Sequence, residues 1–205
     1  MSTEPRRRNR KGQGELLRQE LIDAAAAALR ETGDENGLSM REVARRVGVT
    51  PPAVYLHFPN KEALVDAVLT DRFTALLIRL RDATAGVPDP VVSLRAGCLA
   101  YLRFAAEDPG SYRVLFGGRS AMSFDDADLG AQSGGPAFGA LVRGVTGCQR
   151  VGAIPPGAPE DVARLLWIAL HGTATLTQAR PSFPWPPVED LLDDLLARVA
   201  GLEQE

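Results

Sequence analysis

The stretch Ser39–Lys61, SMREVARRVGVTPPAVYLHFPNK, decides how this chain is read. Two short apolar-periodic segments flank Gly48-Val49-Thr50, and each opens on a helix-start signal. Ser39 stands three residues before Glu42, the capping-box spacing in which the serine oxygen accepts from the backbone and the glutamate reaches back. Thr50 precedes Pro51, and proline suits a first helical position because the N–H it lacks would have no helical partner there. Val43, Ala44, Val47, Val49 and Val54 are spaced to lock the two helices together, with Ala44 small where they cross. Two short helices joined by a tight glycine turn make a helix-turn-helix, whose second helix is shaped for a DNA major groove. The start of that second helix exposes Thr50, Pro51, Pro52 and Ala53, followed by Tyr55 and His57.

Outward from this stretch the helical period continues. Ile22, Ala25 and Leu29 place a helix from Glu15 to Thr32. Residues 1–14 hold Arg6, Arg7, Arg8, Arg10 and Lys11 with almost no apolar side chain, so they are expected to form a disordered basic arm. Downstream, Asn60 caps a longer helix carrying Leu69, Phe73, Leu76 and Leu80. Val91, Leu94, Cys98, Tyr101 and Ala105 step by three and four along another, which ends before Pro109. Residues 117–136, rich in Gly, Ser and Asp, read as a loop, and helices are expected over 137–151 and 159–179. After the proline-rich link from Pro181 to Pro187, Val188, Leu192, Leu195, Val199 and Leu202 mark a last helix. No convincing strand alternation occurs, so the expected fold is all-α. The expected division is a basic arm over 1–14, a helix-turn-helix domain over 15–60 and a helical regulatory and dimerisation domain over 61–205.

The charge distribution excludes some functions. The 205 residues carry a net charge of −3, but residues 1–60 hold ten basic and eight acidic side chains, the remainder thirteen and eighteen. A phosphate-tolerant amino-terminal part joined to an acidic body argues against an architectural protein that coats any duplex. Cys98 and Cys148 lack metal-ligand spacing and read as buried small hydrophobes; no metal or cofactor is expected. His57 and His171 are the sole histidines and stand without the partners that acid–base or nucleophilic chemistry needs, so no enzyme is expected. No apolar run reaches the roughly 20 residues of a membrane helix, and the basic start has no apolar segment behind it, so a cytoplasmic location is expected.

GVTPPAVYLHFPNKEAL resembles the signature of the tetracycline-repressor (TetR) family of bacterial regulators, a resemblance covering residues 15–65. It implies a three-helix DNA-binding domain followed by a helical domain that dimerises and binds ligands. By position it implies phosphate contacts for Ser39 and Arg41, a base-reading face of Thr50, Pro51, Pro52 and Ala53, and backbone contacts for Tyr55, His57 and Lys61. The reading face departs from the common pattern. Thr50 brings one hydroxyl and the rest is apolar, which suits thymine methyl groups and leaves more of the discrimination to Arg45, Arg46 or the basic arm. Trp167-Ile-Ala-Leu-His171-Gly172 is similar to a Trp-x-x-x-His-Gly motif in the C-terminal domain of one subgroup. Leu165, Ala169, Gly172 and Leu176 form a stripe whose small members allow a close helix crossing. With Leu192, Leu195 and Val199 they are the expected faces of a four-helix homodimer contact. Tyr101, Phe104, Tyr112, Phe116, Phe138, Trp167 and His171 are the candidate walls of an effector pocket. The expectation is a ligand-responsive regulator, a repressor by the family's usual behaviour. It would bind palindromic double-stranded operator DNA as a homodimer and be released by a small-molecule effector of unknown identity.

Overall fold

The computed structural model describes residues 13–32, 37–116 and 135–202, and within them all regular structure is helical. The helices are α1 (Gln13–Thr32), α2 (Met40–Val47), α3 (Pro51–Tyr55), α4 (Lys61–Thr84), α5 (Pro90–Glu107), α6 (Pro109–Phe116), α7 (Gly135–Arg150), α8 (Pro159–Ala179) and α9 (Val188–Ala200). Most of the expected basic arm and of the 117–136 loop lies outside the described residues. α1 and α7 each begin two residues earlier than their periodicity suggests. Helix α6 was not anticipated, although Pro109 stands at its first position.

The described residues divide into two compact units. One holds 13–32, 37–72 and 110–116; the other holds 73–109 and 135–202. The boundary therefore falls inside α4 at 72/73 rather than at the 60/61 expected from sequence. Its cause is visible in the side chains. Gln19 on α1 donates to Asp71 (3.1 Å) and Arg72 pairs with Asp23 on α1 (2.9 Å), holding the first three turns of α4 with the amino-terminal unit. α6 joins that unit as well: a Cβ at Gly110 would fall 2.5 Å from Arg30 Cγ at the end of α1. The core of this unit includes Leu21, Ile22, Val43, Val54, Leu64 and Val68, all almost fully removed from solvent. Burial of each such side chain contributes about 1.5–3 kcal/mol before entropy is counted.

In the second unit α5 packs against α7, α8 and α9, α7 against α8, and α8 against α9. Asp89 starts α5 by accepting from the N–H groups of Val91 (2.7 Å) and Val92 (3.0 Å), two donors with no helical partner. An Arg95–Asp193 fork (Nη2–Oδ2 2.8 Å) and an Arg103–Glu189 pair (3.0 Å) fasten α9 alongside α5. Cys98 and Cys148 are buried, as read from sequence. Burial pushes their thiols up to about 12 and about 11 respectively, which leaves them unreactive. The α5–α7 crossing depends on Gly144, where a Cβ would sit 2.9 Å from Cδ1 of buried Leu94. Gly144→Val is therefore expected to overpack this crossing and lower stability by about 1–3 kcal/mol in denaturant titration. An unchanged midpoint would mean that Leu94 has room to yield.

Candidate nucleic-acid interface and effector cluster

The turn between α2 and α3 depends on Gly48, whose φ of 74° places it in the left-handed region that glycine enters without strain. From that position the Val49 N–H reaches back to the Ala44 carbonyl (2.9 Å), closing α2 and turning the chain into α3. Val43, Ala44 and Val54 are buried beneath the turn. With Val54 inward, the opposite side of α3 faces solvent: Pro52 is exposed, Tyr55 is 52% exposed and Leu56 is 86% exposed. Leu56 keeps helical dihedrals (φ −69°, ψ −24°) and donates its N–H to the Pro52 carbonyl (3.3 Å), so it lies one turn beyond Pro52 on the outer face. Thr50 is exposed, and Pro51, Ala53 and His57 are half-buried around the same short helix.

The expected capping box does not form. Ser39 makes no side-chain cap bond, and its carbonyl instead accepts the Val43 N–H (3.0 Å). Glu42 is taken by two guanidiniums: Arg45 binds both of its oxygens (2.8 and 2.6 Å) and Arg46 Nε adds a third bond (2.9 Å). Charge-assisted forks of this kind outcompete a neutral backbone donor. Arg45 first, then Arg46, holds the Glu42 carboxyl well below the ordinary 4.5, down to about 2. Arg46 also forks onto Glu31 of α1 (2.9 and 2.6 Å), tying α2 to the first helix. The two arginines that the sequence offered as extra base readers are thus committed within the protein. Arg41 differs: it is exposed and has no ion pair with a described residue. The Thr50 hydroxyl makes no cap bond either. Asn60 caps α4 as expected, its Oδ1 accepting from the Ala63 N–H at 2.8 Å and so placing Lys61 in the first turn.

In the second unit, four of the proposed effector residues come together. The Tyr101 hydroxyl meets His171 Nδ1 at 2.9 Å, the Trp167 and His171 rings are edge-on at 6.2 Å, and Phe138 lies 6.0 Å from Trp167. Burial lowers His171 from its ordinary 6.5 and so favours the neutral imidazole. Phe104 is buried under the Arg79 guanidinium (5.5 Å). Tyr112 and Phe116 lie in the first unit, where their rings pack on each other at 4.9 Å.

The outer face of α8 carries Leu165 (55% exposed), Ile168 (61%) and Leu176 (53%), with half-buried Ala169 and Gly172 between them. Nothing lies within 4 Å of the Cβ position of Gly172. On α9, Leu195 and Val199 are half-buried, but Leu192 is fully buried in its own unit and has no surface to offer a partner. That one member of the expected interface is corrected: Leu192 shares the buried i, i+4, i+8 stripe of α9 with Leu196 and Ala200. Two exposed apolar residues were missed. Ile168 is three residues from Leu165 and was readable from spacing. Leu56 was not, because nothing in the sequence says that the turn after α3 keeps helical dihedrals.

The chain matches the family described as "Tetracyclin repressor-like, C-terminal domain" over residues 94–199 and that described as "Bacterial regulatory proteins, tetR family" over residues 21–68. It is similar to the nucleoid occlusion factor SlmA of Vibrio campbellii, at 28% identity over 112 residues, 55% of this chain and 56% of that protein. The chain spans about half the length of the curated relatives it matches. A solved structure of a protein of unknown function from Rhodococcus sp. RHA1 has a TM-score of 0.75 at 28% identity, covering 92% of this chain and 96% of that one. SmeT, the repressor of the Stenotrophomonas maltophilia multidrug efflux pump SmeDEF, shares the fold with a TM-score of 0.70 at 23% identity over 88% of each chain. With a helix-turn-helix in its first unit and a family match over more than half its length, the chain belongs to the tetracycline-repressor family of bacterial transcription regulators.

Proposed function

We propose that this protein is a ligand-responsive repressor that binds a palindromic operator as a homodimer and releases it when a small molecule enters the second unit. The observation that carries this reading is α4. It starts at Lys61 beside the helix-turn-helix and continues unbroken to Thr84, so its two halves belong to different units. One helix is then shared by the DNA-contacting unit and the effector-binding unit. The uncovered apolar stripe of α8 supports the dimer, as does the short reach of α3, whose five residues touch too few bases for useful specificity alone. The Tyr101–His171 pair within an aromatic cluster supports an effector that is moderately apolar with a polar end. In this scheme Ser39, Arg41, Tyr55, His57 and Lys61 hold phosphates, and Thr50, Pro51, Pro52 and Ala53 face the bases. The SmeT likeness extends only to the fold but agrees with a repressor.

Phosphate anchoring has a specific signature. Tyr55→Phe, His57→Ala and Lys61→Ala are expected to weaken binding about equally on every operator variant, and Lys61→Ala to reduce the salt slope by about one unit. Loss confined to particular base substitutions would place these side chains at base edges instead.

Effector and operator are expected to oppose each other. The two α3 helices of a dimer must sit about one DNA turn apart, roughly 34–36 Å, and a ligand favouring another spacing opposes DNA by its differential affinity. Coupling of about 1–3 kcal/mol is typical, and by linkage the operator must weaken the ligand by the same factor. Once an effector has been found by thermal-shift screening, calorimetry with and without operator tests this. Equal ligand affinities in both conditions would mean that DNA binding is not ligand-switched.

A further inference from the structure

The geometry points to a reading head that recognises thymine through its C5-methyl group, with Leu56 as the specificity-determining side chain. This rests on the first unit being a DNA reader and goes beyond it by naming the base and the contact. Three sets of observations lead there.

The polar means of reading a base edge are largely absent from α3. Pro51 and Pro52 have no N–H, and the Ala53 N–H is spent on the Thr50 carbonyl at 2.9 Å. The Thr50 hydroxyl remains as the one side-chain polar group at the start of the helix.

The nearby cations are directed elsewhere. Arg45 is forked onto Glu42, and Arg46 onto Glu31 with a further bond to Glu42, so either guanidinium would have to leave a carboxylate to bridge the O6 and N7 of guanine.

What α3 does present is apolar. Leu56 is the most exposed large hydrophobic side chain among the described residues, at 86%, one helical turn from exposed Pro52 and opposite buried Val54. An apolar side chain so placed has one complementary feature on a major-groove floor, the methyl of thymine. The polar and charged groups around it suit the phosphates that frame the groove: Tyr55 adjacent, His57 next, Lys61 at the start of α4. A second protein chain seated there would leave those groups facing an apolar partner.

The test uses the full chain and duplex DNA. Selection from a random duplex library is expected to return a half-site with at least one thymine that cannot be replaced by other bases. Substituting deoxyuracil for that thymine removes the methyl and keeps base pairing. The expected loss is about fourfold per methyl, the worth of one buried methylene-sized group. Leu56→Ala is expected to bind the thymine and deoxyuracil operators equally, whereas Leu56→Met keeps the preference. Because Leu56 is almost wholly exposed, neither substitution should disturb folding. If deoxyuracil is neutral at every thymine, or if Leu56→Ala weakens both operators alike and keeps the preference, the assignment is wrong while DNA reading stands. If selection enriches no sequence, the reading of the first unit as a sequence-specific DNA binder fails, and this inference fails with it.

Discussion

The apolar stripe that α8 leaves uncovered is the constraint on which the rest of this account depends. Leu165, Ile168 and Leu176 each expose more than half of their surface, on a helix whose inner residues Ala163, Leu166, Leu170 and Ala174 are already buried. One face of α8 thus completes the core of its own unit, and the other carries apolar side chains that are more than half exposed. Contiguous apolar surface of this kind marks an interaction site more often than a solvent face. A small residue at its middle, Gly172, permits the close approach that a helix–helix contact needs. If the stripe is covered by its own copy around a two-fold axis, two helix-turn-helix units are presented together, and a five-residue reading helix becomes sufficient.

Electrostatics in the first unit then separate holding from reading. Glu42 pairs with both arginines at the end of α2, and Glu31 takes Arg46 across to α1, so that Arg46 braces the two helices. Arg41, exposed at the start of α2 and without an ion pair to a described residue, differs from Arg45 and Arg46. A reader built this way draws little of its sequence preference from charge, so salt acts on its affinity more than on its choice of bases. The acidic balance of the rest of the chain works in the same direction by discouraging unspecific coating of DNA.

Most of the fold was legible because helix periodicity, glycine stops and cap residues act locally. Gly48 ended α2, Asn60 capped α4 and Cys98 faced inward, each as its neighbours in sequence require. What could not be read depends on competition between possible partners, some near and some distant in the chain. The Ser39–Glu42 capping box was displaced by Arg45 and by Arg46, itself anchored on Glu31 fifteen residues upstream. The unit boundary moved into α4 because Gln19 and Asp23 reach across to Asp71 and Arg72. Leu192 was assigned outward from a stripe whose two sides differ by a single helical step.

In the function proposed above, the two faces of α8 take two roles: the inner face lies with the cluster around Trp167 and His171, and the outer face would pair with a second copy. An effector acts on DNA only if the second role exists, so self-association is the claim to test first. Sedimentation equilibrium at micromolar concentration, without DNA or ligand, measures it directly. The unmodified chain is expected at twice the chain mass. Gly172→Leu, whose Cβ position has no described atom of another element within 4 Å, is expected to keep its helical content and sediment at the chain mass. A monomer for the unmodified protein, or an undiminished dimer for Gly172→Leu, would contradict the account.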